Sequence, residues 1–525
     1  MNLTALQKVL AKHQFITSDN LYEALEIGSK CDETQPECKQ CSKAGWVCPR
    51  YGDIPERLFQ NRTLADFTID PSPKELSSDT NQVLSISESR GTSALQRDMC
   101  RERNLGPPPH IIQPVTDQAI NLFLASHVPN DTVFIRGCFE YLPEFRRTNG
   151  QNAGFSASLN AAALAAYGNT VQSTMILTQA RKHLGTALRF INTALMSPEE
   201  AIKDSTVISI MLLATFETIT CRDQKSLGDC DMHTKGAATI IELRGKGQFQ
   251  SLLGLQLFVQ MCGDISRGCL QRSVRVPTGV IAARSHAATL LGQQDSSWQL
   301  SEIIIQVAEF RAGVKDCTLS EANDIIATAL ELDASLSTLV STVPTGHRFK
   351  IVQPENDTDL IYGGYYHIYP SFWAAYFWNN VRTCRILLHQ EILRQTDATS
   401  YATMHSNPQA GRSNDIIGQM GLDICATIPQ YTGYLPLLAN QSEVQRVNAT
   451  RRSHPKLLPG TSVHAHAVYS LFWPLLIVGQ ASKSGKHRQW LVDRAREIGR
   501  ISGIHQAFAL ADVLERHEKI GIWED

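Results

Sequence analysis

The sequence has no long apolar run and no signal for export. It contains no stretch of about 18 consecutive apolar residues, the length that a membrane-spanning helix needs. Its densest apolar stretch, residues 470–479, is short and contains Pro474. The first fifteen residues lack the continuous apolar segment and the small-residue cleavage site of a secretory signal. We therefore expect no membrane partner and a reducing compartment.

The chain also lacks an excess of either charge and the motifs of common enzymes. It has 49 Lys and Arg against 51 Asp and Glu, a formal net charge of −2, so any support for nucleic-acid binding must be local. The sequence has no phosphate-binding G-x-x-x-x-G-K-[ST], no G-x-G-x-x-G that opens a helix after a strand, no H-E-x-x-H and no G-x-S-x-G. We therefore expect a protein that is not an enzyme.

Composition and periodicity divide the 525 residues into four segments. Residues 1–28 are an atypical amphipathic segment, and residues 29–51 hold a cluster of cysteines. Residues 52–112 are rich in Ser, Asp, Asn and Pro without sustained periodicity, which predicts a flexible linker. Residues 113–525 show helical periodicity almost throughout. The predicted fold class is mainly α, with one large all-helical domain.

Three helices and one strand are predicted most clearly. Residues 371–393 carry one apolar stripe, formed by Trp373, Phe377, Val381, Cys384, Leu388 and Ile392. Residues 199–219 begin after Pro198 and are apolar on most sides, which predicts a buried helix. A third helix is expected over residues 231–247, with Gly245 near its end as a C-cap. The best strand candidate is FKIVQP, residues 349–354.

Some polar and aromatic residues of the helical region have more than one interpretation. Arg244, near a helix C-terminus, is expected to meet exposed carbonyls or a partner acid. His233 is expected to be a packed, hydrogen-bonded residue rather than a ligand. An aromatic set is expected to belong to the core, with a small-molecule pocket as the alternative: Trp373, Tyr376, Phe377 and Trp378.

Four of the thirteen cysteines fall within 18 residues. They are Cys31, Cys38, Cys41 and Cys48, with the spacing C-x6-C-x2-C-x6-C. Thiolates this close together suit zinc, which takes four ligands tetrahedrally. Two disulfides are the alternative, and a reducing compartment disfavours them. The cluster therefore predicts a zinc site.

The residues around these cysteines follow a known pattern. KCDE stands at residues 30–33, Pro36 lies two residues before Cys38, and AGWVC ends the cluster at residues 44–48. The stretch resembles the last four cysteines of the fungal Zn(2)-Cys(6) binuclear zinc cluster of transcription factors, C-x2-C-x6-C-x5–12-C-x2-C-x6–8-C. This resemblance implies a nuclear protein whose zinc cluster binds promoter DNA. We expect Lys30, Lys39 and Lys43 to serve in DNA binding.

The first two cysteines and the basic run of that pattern are missing. Leu21 and Ala24 stand where the two ligands belong, and LEIGSK, residues 25–30, replaces the basic run. Over residues 30–62, six basic residues face five acidic ones, a balance of +1 that is too small for an electrostatic footprint on DNA. Two explanations stay open: the chain has lost its DNA-reading half, or residues 1–29 are not the natural N-terminus.

The helical region resembles the regulatory domain that follows this cluster in many fungal transcription factors. The resemblance covers about residues 150–517 in separate pieces, of which HTKGAATIIELRG, residues 233–245, is the most characteristic. It implies a fungal transcription regulator that controls a metabolic gene set, with secondary metabolism as one option. The expected partners are the transcription machinery, another regulator or a second copy of the chain. The alternative is a helical interaction protein that has lost sequence-specific DNA binding.

The incomplete cluster predicts at most one zinc ion per chain, because two tetrahedral sites cannot be built from four thiolates alone. Elemental analysis of the purified chain will measure this ratio, and the variant Cys38→Ser/Cys41→Ser is the control that loses the metal. We also expect no sequence-selective footprint on DNA at physiological salt, because the basic run is missing. Two zinc ions per chain, or a footprint, would overturn this interpretation.

Overall fold

A computed structural model describes seven stretches of the chain: 113–128, 138–221, 236–291, 296–354, 359–400, 408–432 and 465–516. All of them belong to one compact unit. The predictions for the N-terminal segment, the cysteine cluster and the linker lie outside the described residues and stay predictions, as does the one for His233.

Helices make up 81% of the described part, which confirms the mainly α prediction. In chain order they are α1 (Val115–His127), α2 (Leu142–Asn149), α3 (Ala153–Thr170), α4 (Thr174–Ala194), α5 (Pro198–Ala201), α6 (Asp204–Thr220), α7 (236–244), α8 (Leu252–Arg272), α9 (Thr278–Leu291), α10 (Ser296–Lys315), α11 (Ala322–Thr342), α12 (Phe372–Ser400), α13 (Pro408–Cys425), α14 (Ile428–Tyr431), α15 (Ala465–Ala481), α16 (Gly485–Ser502) and α17 (Gln506–Glu515). Short 3-10 turns cover Gly245–Gln250 and Thr345–His347.

Two short strands form the sheet of the described residues. β1 (Lys350–Val352) pairs antiparallel with β2 (Tyr366–Ile368), and Ile351 lies opposite His367. β1 confirms the strand predicted over residues 349–354.

Helix α3 is the centre of the first half of the domain. It packs against α1, α4 and α6. Its six residues from Ala161 to Ala166 are all buried, as a helix surrounded by other helices requires. Asn152 caps the helix, since its side-chain oxygen accepts a hydrogen bond from the backbone N–H of Phe155 at 2.9 Å.

The predicted helix over residues 199–219 is wrong as a single element. The structure has two helices there, α5 and α6, because Lys203 has extended backbone angles (φ −64°, ψ 142°). The hydroxyl of Thr206 donates to the carbonyl of Glu200 at 2.8 Å and so holds the corner between the two helices. The expected burial is confirmed for α6, whose buried apolar residues are Val207, Ile208, Ile210, Leu212, Leu213, Phe216 and Ile219.

Arg244 ends α7 and meets a partner acid, one of the two expected roles. Its Nη2 lies 2.5 Å from Oδ1 of Asp204, at the start of α6, and its side chain is only 7% exposed. Gly245 follows with a φ of +50°, the left-handed conformation expected after a helix end. The ion pair therefore fixes the end of α7 on α6.

One side chain joins the first helices of the domain to the last ones. Nδ2 of Asn169, on α3, donates to the carbonyl of Ile219 at 3.0 Å and to that of Gly503 at 2.8 Å. The backbone N–H of His505 also donates to Ile219, at 3.0 Å. Segments more than 300 residues apart in sequence are therefore bonded directly.

Among the described helices, α11 alone reaches the length and apolarity of a membrane span, with a mean hydropathy of 1.2 over its best window. It packs against α10 and α12 through Ile325, Ala329, Leu336 and Leu339, which are buried. Such contacts are those of an amphipathic helix at the edge of a helical domain.

Truncation of the core around α3 should destabilise the domain. Phe155 is 0% exposed and meets the ring of Phe145 edge to face at 4.9 Å, so Phe155→Ala should lower the free energy of unfolding by about 3–5 kcal/mol. The matched control is Phe190→Ala on α4, where the ring is 45% exposed and the expected loss is below about 1 kcal/mol. Urea unfolding followed by circular dichroism measures both. Equal losses would contradict the assignment of this core.

Candidate functional site

The residues predicted to bind zinc and DNA lie outside the described part of the chain. This holds for Cys31, Cys38, Cys41 and Cys48 and for Lys30, Lys39 and Lys43. Within the described stretches, no group of three or more His, Cys, Asp or Glu side chains could hold a metal ion. The zinc site therefore stays a prediction, and the chemistry that the structure shows is found elsewhere.

A strap of irregular chain and short strands covers polar side chains in the second half of the domain. We define the strap as residues 345–354 and 359–371, which include β1 and β2. β2 contacts α13 and α14. The backbone N–H of His367 donates to the carbonyl of Ala426 at 2.9 Å, so the strap is bonded to the turn between those two helices.

Two tryptophans and a stacked ring pair hold the outer parts of the strap. Nε1 of Trp378, on α12, donates to the carbonyl of His347 at 3.0 Å. Nε1 of Trp490, on α16, donates to the carbonyl of Asp359 at 2.7 Å. The ring of Tyr362 stacks on His487 with centroids 4.2 Å apart. These contacts tie the strap to helices that are distant in sequence.

Two consecutive glycines turn the strap toward its buried end. Gly363 and Gly364 have φ values of +81° and +77°, which other residues adopt only with strain. After this turn, the hydroxyl of Tyr365 donates to Oδ1 of Asp423, on α13, at 2.7 Å. Tyr362, before the two glycines, thus contacts α16, and Tyr365, after them, contacts α13.

The buried guanidinium of Arg382, on α12, lies under the strap and is only 2% exposed. Its Nη1 donates to the hydroxyl of Tyr369 at 2.6 Å and to Oδ1 of Asn379 at 3.1 Å. Its Nη2 lies 3.3 Å from Nδ1 of His367. The ring of Phe349 lies 5.0 Å from the guanidinium carbon, within the range of a cation–π contact. Residues of the strap therefore surround this cation.

Asp423 is the carboxylate nearest to this cation among the described residues. Its Oδ2 lies 3.8 Å from Nε of Arg382, and its Oδ1 lies 3.9 Å from Nε2 of His367. Both distances exceed a hydrogen bond. The carboxylate instead accepts hydrogen bonds from Tyr365 and, at 2.9 Å, from Gln419. It balances the buried charge through space, which an isolated guanidinium in the interior requires.

His367 is fully buried and neutral. Burial first, and the charge of Arg382 second, lower the pKa of His367 to about 3. Burial raises the pKa of Tyr369 to about 12 although Arg382 opposes the shift, so its phenol stays protonated. Because the Tyr369 oxygen accepts from Arg382, its proton is available to Nδ1 of His367, 3.0 Å away. This bond places the imidazole proton on Nε2, which has no hydrogen-bond partner among the described residues.

A second polar cluster lies further along the same helix. Nε and Nη2 of Arg385 donate to the two carboxylate oxygens of Asp333, on α11, at 2.6 and 3.0 Å. His389 lies 3.4 Å from the same carboxylate, and its Nδ1 is 3.0 Å from the hydroxyl of Ser413, on α13. Burial alone would raise the pKa of Asp333, but His389 and Arg385 lower it to about 2. This cluster joins three helices.

Cys425 and His487 form a contact that resembles a nucleophile and its base. The Cys425 sulfur lies 3.3 Å from Nε2 of His487, and the Ser482 hydroxyl lies 3.1 Å from Nδ1. Burial raises the pKa of the Cys425 thiol well above its usual range, so no thiolate forms. The protonated thiol donates to the imidazole, and the contact joins α13 to α16.

The expectation that the aromatic set on α12 belongs to the core holds only in part, because Trp373, Tyr376 and Trp378 are half-buried. Phe377 is buried, and Trp378 meets Phe349 edge to face at 4.9 Å. Nε1 of Trp373 donates to the hydroxyl of Ser297 at 3.1 Å, and the hydroxyl of Tyr376 accepts from Arg267. The four rings are therefore in contact with α8, α10 and the strap.

The polar clusters on α12 were not predicted, although the spacing of their residues in the sequence indicates them. Asn379, Arg382, Arg385 and His389 follow one another at intervals of three and four residues along an apolar helix. Such spacing places polar side chains on one side of a helix. Because the other positions of this helix predict burial, the stripe of polar side chains indicates that they have hydrogen-bond partners inside the protein.

Stability should fall at acidic pH through His367. Because its pKa is lower in the folded state than the ~6.5 of an exposed histidine, the unfolded state binds more protons as the pH falls below ~6.5. From about pH 7.5 to about pH 5.5, this one group should lower the free energy of unfolding by about 1.4 kcal/mol. Urea unfolding at the two pH values measures it.

The variant His367→Gln lacks this histidine. The free energy of unfolding of the variant should therefore fall less between the two pH values than that of the wild-type chain. The control is His183→Gln, on α4, whose pKa burial lowers as well but whose side chain is only half-buried. The control should keep most of the wild-type pH dependence. If His367→Gln keeps all of it, the assignment of a buried neutral imidazole is wrong.

Comparison with known proteins gives one match. Residues 155–264 match the model of the family described as "Fungal specific transcription factor domain". The match runs from α3 into α8 and includes the ion pair between Arg244 and Asp204. No curated protein and no solved structure gives a significant match. Over these residues the chain is therefore similar to the regulatory domain that its sequence resembles.

Proposed function

We propose that the protein is a fungal transcription regulator that acts in the nucleus. The observation that carries this proposal is the match of residues 155–264 to the fungal-specific transcription factor domain. The helical architecture supports it, because the domain resembled by the sequence is all-helical. The helical region serves regulation and contact with the transcription machinery or another regulator.

The chemistry of the described residues supports regulation rather than catalysis. The buried cation Arg382 and the half-buried cation Arg385 are occupied by internal partners. The contact between Cys425 and His487 holds a protonated thiol, whereas a nucleophilic cysteine needs a thiolate. These side chains stabilise the domain, and its function then depends on the surfaces that the helices present.

Promoter binding is the second half of the proposal. Cys31, Cys38, Cys41 and Cys48 hold at most one zinc ion, and Lys30, Lys39 and Lys43 contact DNA phosphates without giving a sequence-selective footprint of their own. The target is a metabolic gene set, with secondary metabolism as one option. The support is the spacing of the thiols together with Pro36 and Trp46, as the sequence resemblance requires.

A second candidate is a helical interaction protein that modulates a related regulator without reading DNA. Leu21 and Ala24 favour it, because they stand where two zinc ligands of the resembled pattern belong. The local charge balance of +1 over residues 30–62 also favours it, because phosphate contacts need basic residues.

A reporter assay tests the regulatory role directly. The full chain, fused to an unrelated DNA-binding domain, should change transcription from a promoter that carries the cognate site by roughly fivefold or more, an effect equal to about 1 kcal/mol of recruitment. Phe155→Ala should lose the effect, because it destabilises α3. A folded fusion that leaves transcription unchanged would contradict the proposal.

Promoter occupancy in the cell separates the two candidates. Chromatin immunoprecipitation of the full chain is compared with that of Cys38→Ser/Cys41→Ser. Loss of occupancy in this variant supports a chain that reads the promoter through its thiols. Unchanged occupancy supports an interaction protein that is brought to the promoter by its partner.

A further inference from the structure

Exposed apolar side chains concentrate around α4. Thirteen large hydrophobic residues are exposed in the described part of the chain, and five of them fall within residues 171–202. They are Val171, Met175, Phe190, Met196 and Ile202. Met175 and Met196 are 66% and 71% exposed, the two highest values of the thirteen. Single exposed hydrophobic residues are ordinary, but a local concentration marks an interaction surface.

One side of α4 packs against the domain, and the other side carries exposed or half-buried side chains. The helix contacts α3 and α6. Its buried residues are Ile176, Ala180, Leu184, Ala187 and Ile191. The opposite side, which we call the free face, consists of exposed or half-buried residues at helical spacing: Met175, Thr178, Gln179, Lys182, Thr186, Arg189, Phe190 and Thr193. Met175 and Phe190 stand near its two ends, about 22 Å apart along the axis.

The charge on α4 has one sign. The helix contains Arg181, Lys182 and Arg189 and no Asp or Glu. These three cations are exposed and form no ion pair with any described residue, and Arg189 donates only to the hydroxyl of Thr186, at 3.2 Å. An exposed arginine on α2 does have an acidic partner, since Arg147 pairs with Glu144 at 2.6 Å. The free face is therefore basic and apolar at once.

The acids that follow α4 in sequence are already engaged. Glu200 pairs with Lys203 at 2.5 Å, and Glu199 accepts a hydrogen bond from Ser197 at 2.6 Å. Among the described residues, neither carboxylate forms an ion pair with a cation of the free face. The complement to this face is a surface with carboxylates between two apolar residues.

We propose that the free face of α4 binds an acidic amphipathic helix of a partner protein. The partner helix lies along α4, its apolar residues contact Met175 and Phe190, and its carboxylates pair with Lys182 and Arg189. Arginine binds a carboxylate bidentately, and the flexible side chain of methionine adapts to the surface it meets. A helix laid on a complementary face is a common mode of peptide recognition.

Charge and apolar exposure select this occupant over two others. A second copy that pairs α4 with α4 would place like charges against each other, which opposes association. Nucleic acid would use Lys182 and Arg189 but would leave the exposed Met175 and Phe190 without a role. The inference deepens the proposed function and rests on it, because a regulator acts through a partner. The binding test below needs neither DNA nor transcription.

Fluorescence anisotropy with the full chain tests the proposal. The probe is a labelled helical peptide of about 18 residues, with apolar residues spaced to reach Met175 and Phe190 and with glutamates between them. We expect saturable binding, weakened about tenfold or more by Lys182→Glu/Arg189→Glu and by Met175→Ala/Phe190→Ala. The matched control, Arg412→Glu/Arg500→Glu, changes two exposed cations on α13 and α16 and should alter affinity by less than about twofold.

Each other outcome overturns the proposal. Absence of binding to the wild-type chain does so, and so does equal weakening by the control variant, which would reduce the effect to overall charge. Competition by duplex DNA that depends on Lys182 and Arg189 but not on Met175 and Phe190 would assign the face to nucleic acid. Self-association lost in Lys182→Glu/Arg189→Glu, measured by sedimentation, would assign it to a second copy.

Two controls keep these results separate from folding and from the proposed function. Circular dichroism and urea unfolding show whether each variant keeps its helices. Peptide binding without an effect in the reporter assay would contradict transcription regulation and leave the α4 surface intact. A reporter effect without peptide binding would contradict the proposal for the α4 surface and support transcription regulation.

Discussion

Burial of α12 on nearly all sides is the constraint on which the second half of the domain depends. The helix packs against α10, α11, α13 and α15 and also meets the strap. An apolar helix could satisfy this position with side-chain packing alone. This one also carries Arg382, Arg385 and His389, whose polar groups must find partners inside the protein. The positions of the strap, Asp333 and Asp423 follow from that need.

The two arginines of α12 are balanced by different means. Arg385 forms a bidentate pair with Asp333, in which charge and hydrogen bonding come from the same group. Arg382 donates hydrogen bonds to neutral oxygens and lies over the face of Phe349, while Asp423 supplies the opposite charge from beyond hydrogen-bond distance. Removal of Asp423 would leave the buried cation Arg382 uncompensated, which is among the costlier changes in a protein interior. The strap is thus held by electrostatics as well as by packing.

Periodicity predicted the helices well because their burial is repetitive. The stripe on residues 371–393 from Phe377 to Ile392 is buried, although Trp373 at its start is only half-buried. The single helix expected at 199–219 failed at Lys203, where one extended residue makes a corner that an apolar pattern does not reveal. The network of His367, Tyr369 and Asp423 depends on contacts between residues far apart in sequence, so no local pattern predicts its partners. The zinc cluster differs from this network, because a local pattern, the spacing of its cysteines, predicts it. The cluster lies outside the described residues.

The bonds made by Asn169 have a consequence for how the chain is made. Its acceptors are the carbonyls of Ile219 and Gly503, so Asn169 can donate its second hydrogen bond only after α16 has been made. A ribosome delivers the N-terminal helices first, and domains usually fold as they emerge. From Asn169, the chain must extend by 334 residues before the carbonyl of Gly503 is present. A chain that stops before Gly503 therefore deprives α3, near the start of the domain, of an acceptor that only the last part of the domain supplies.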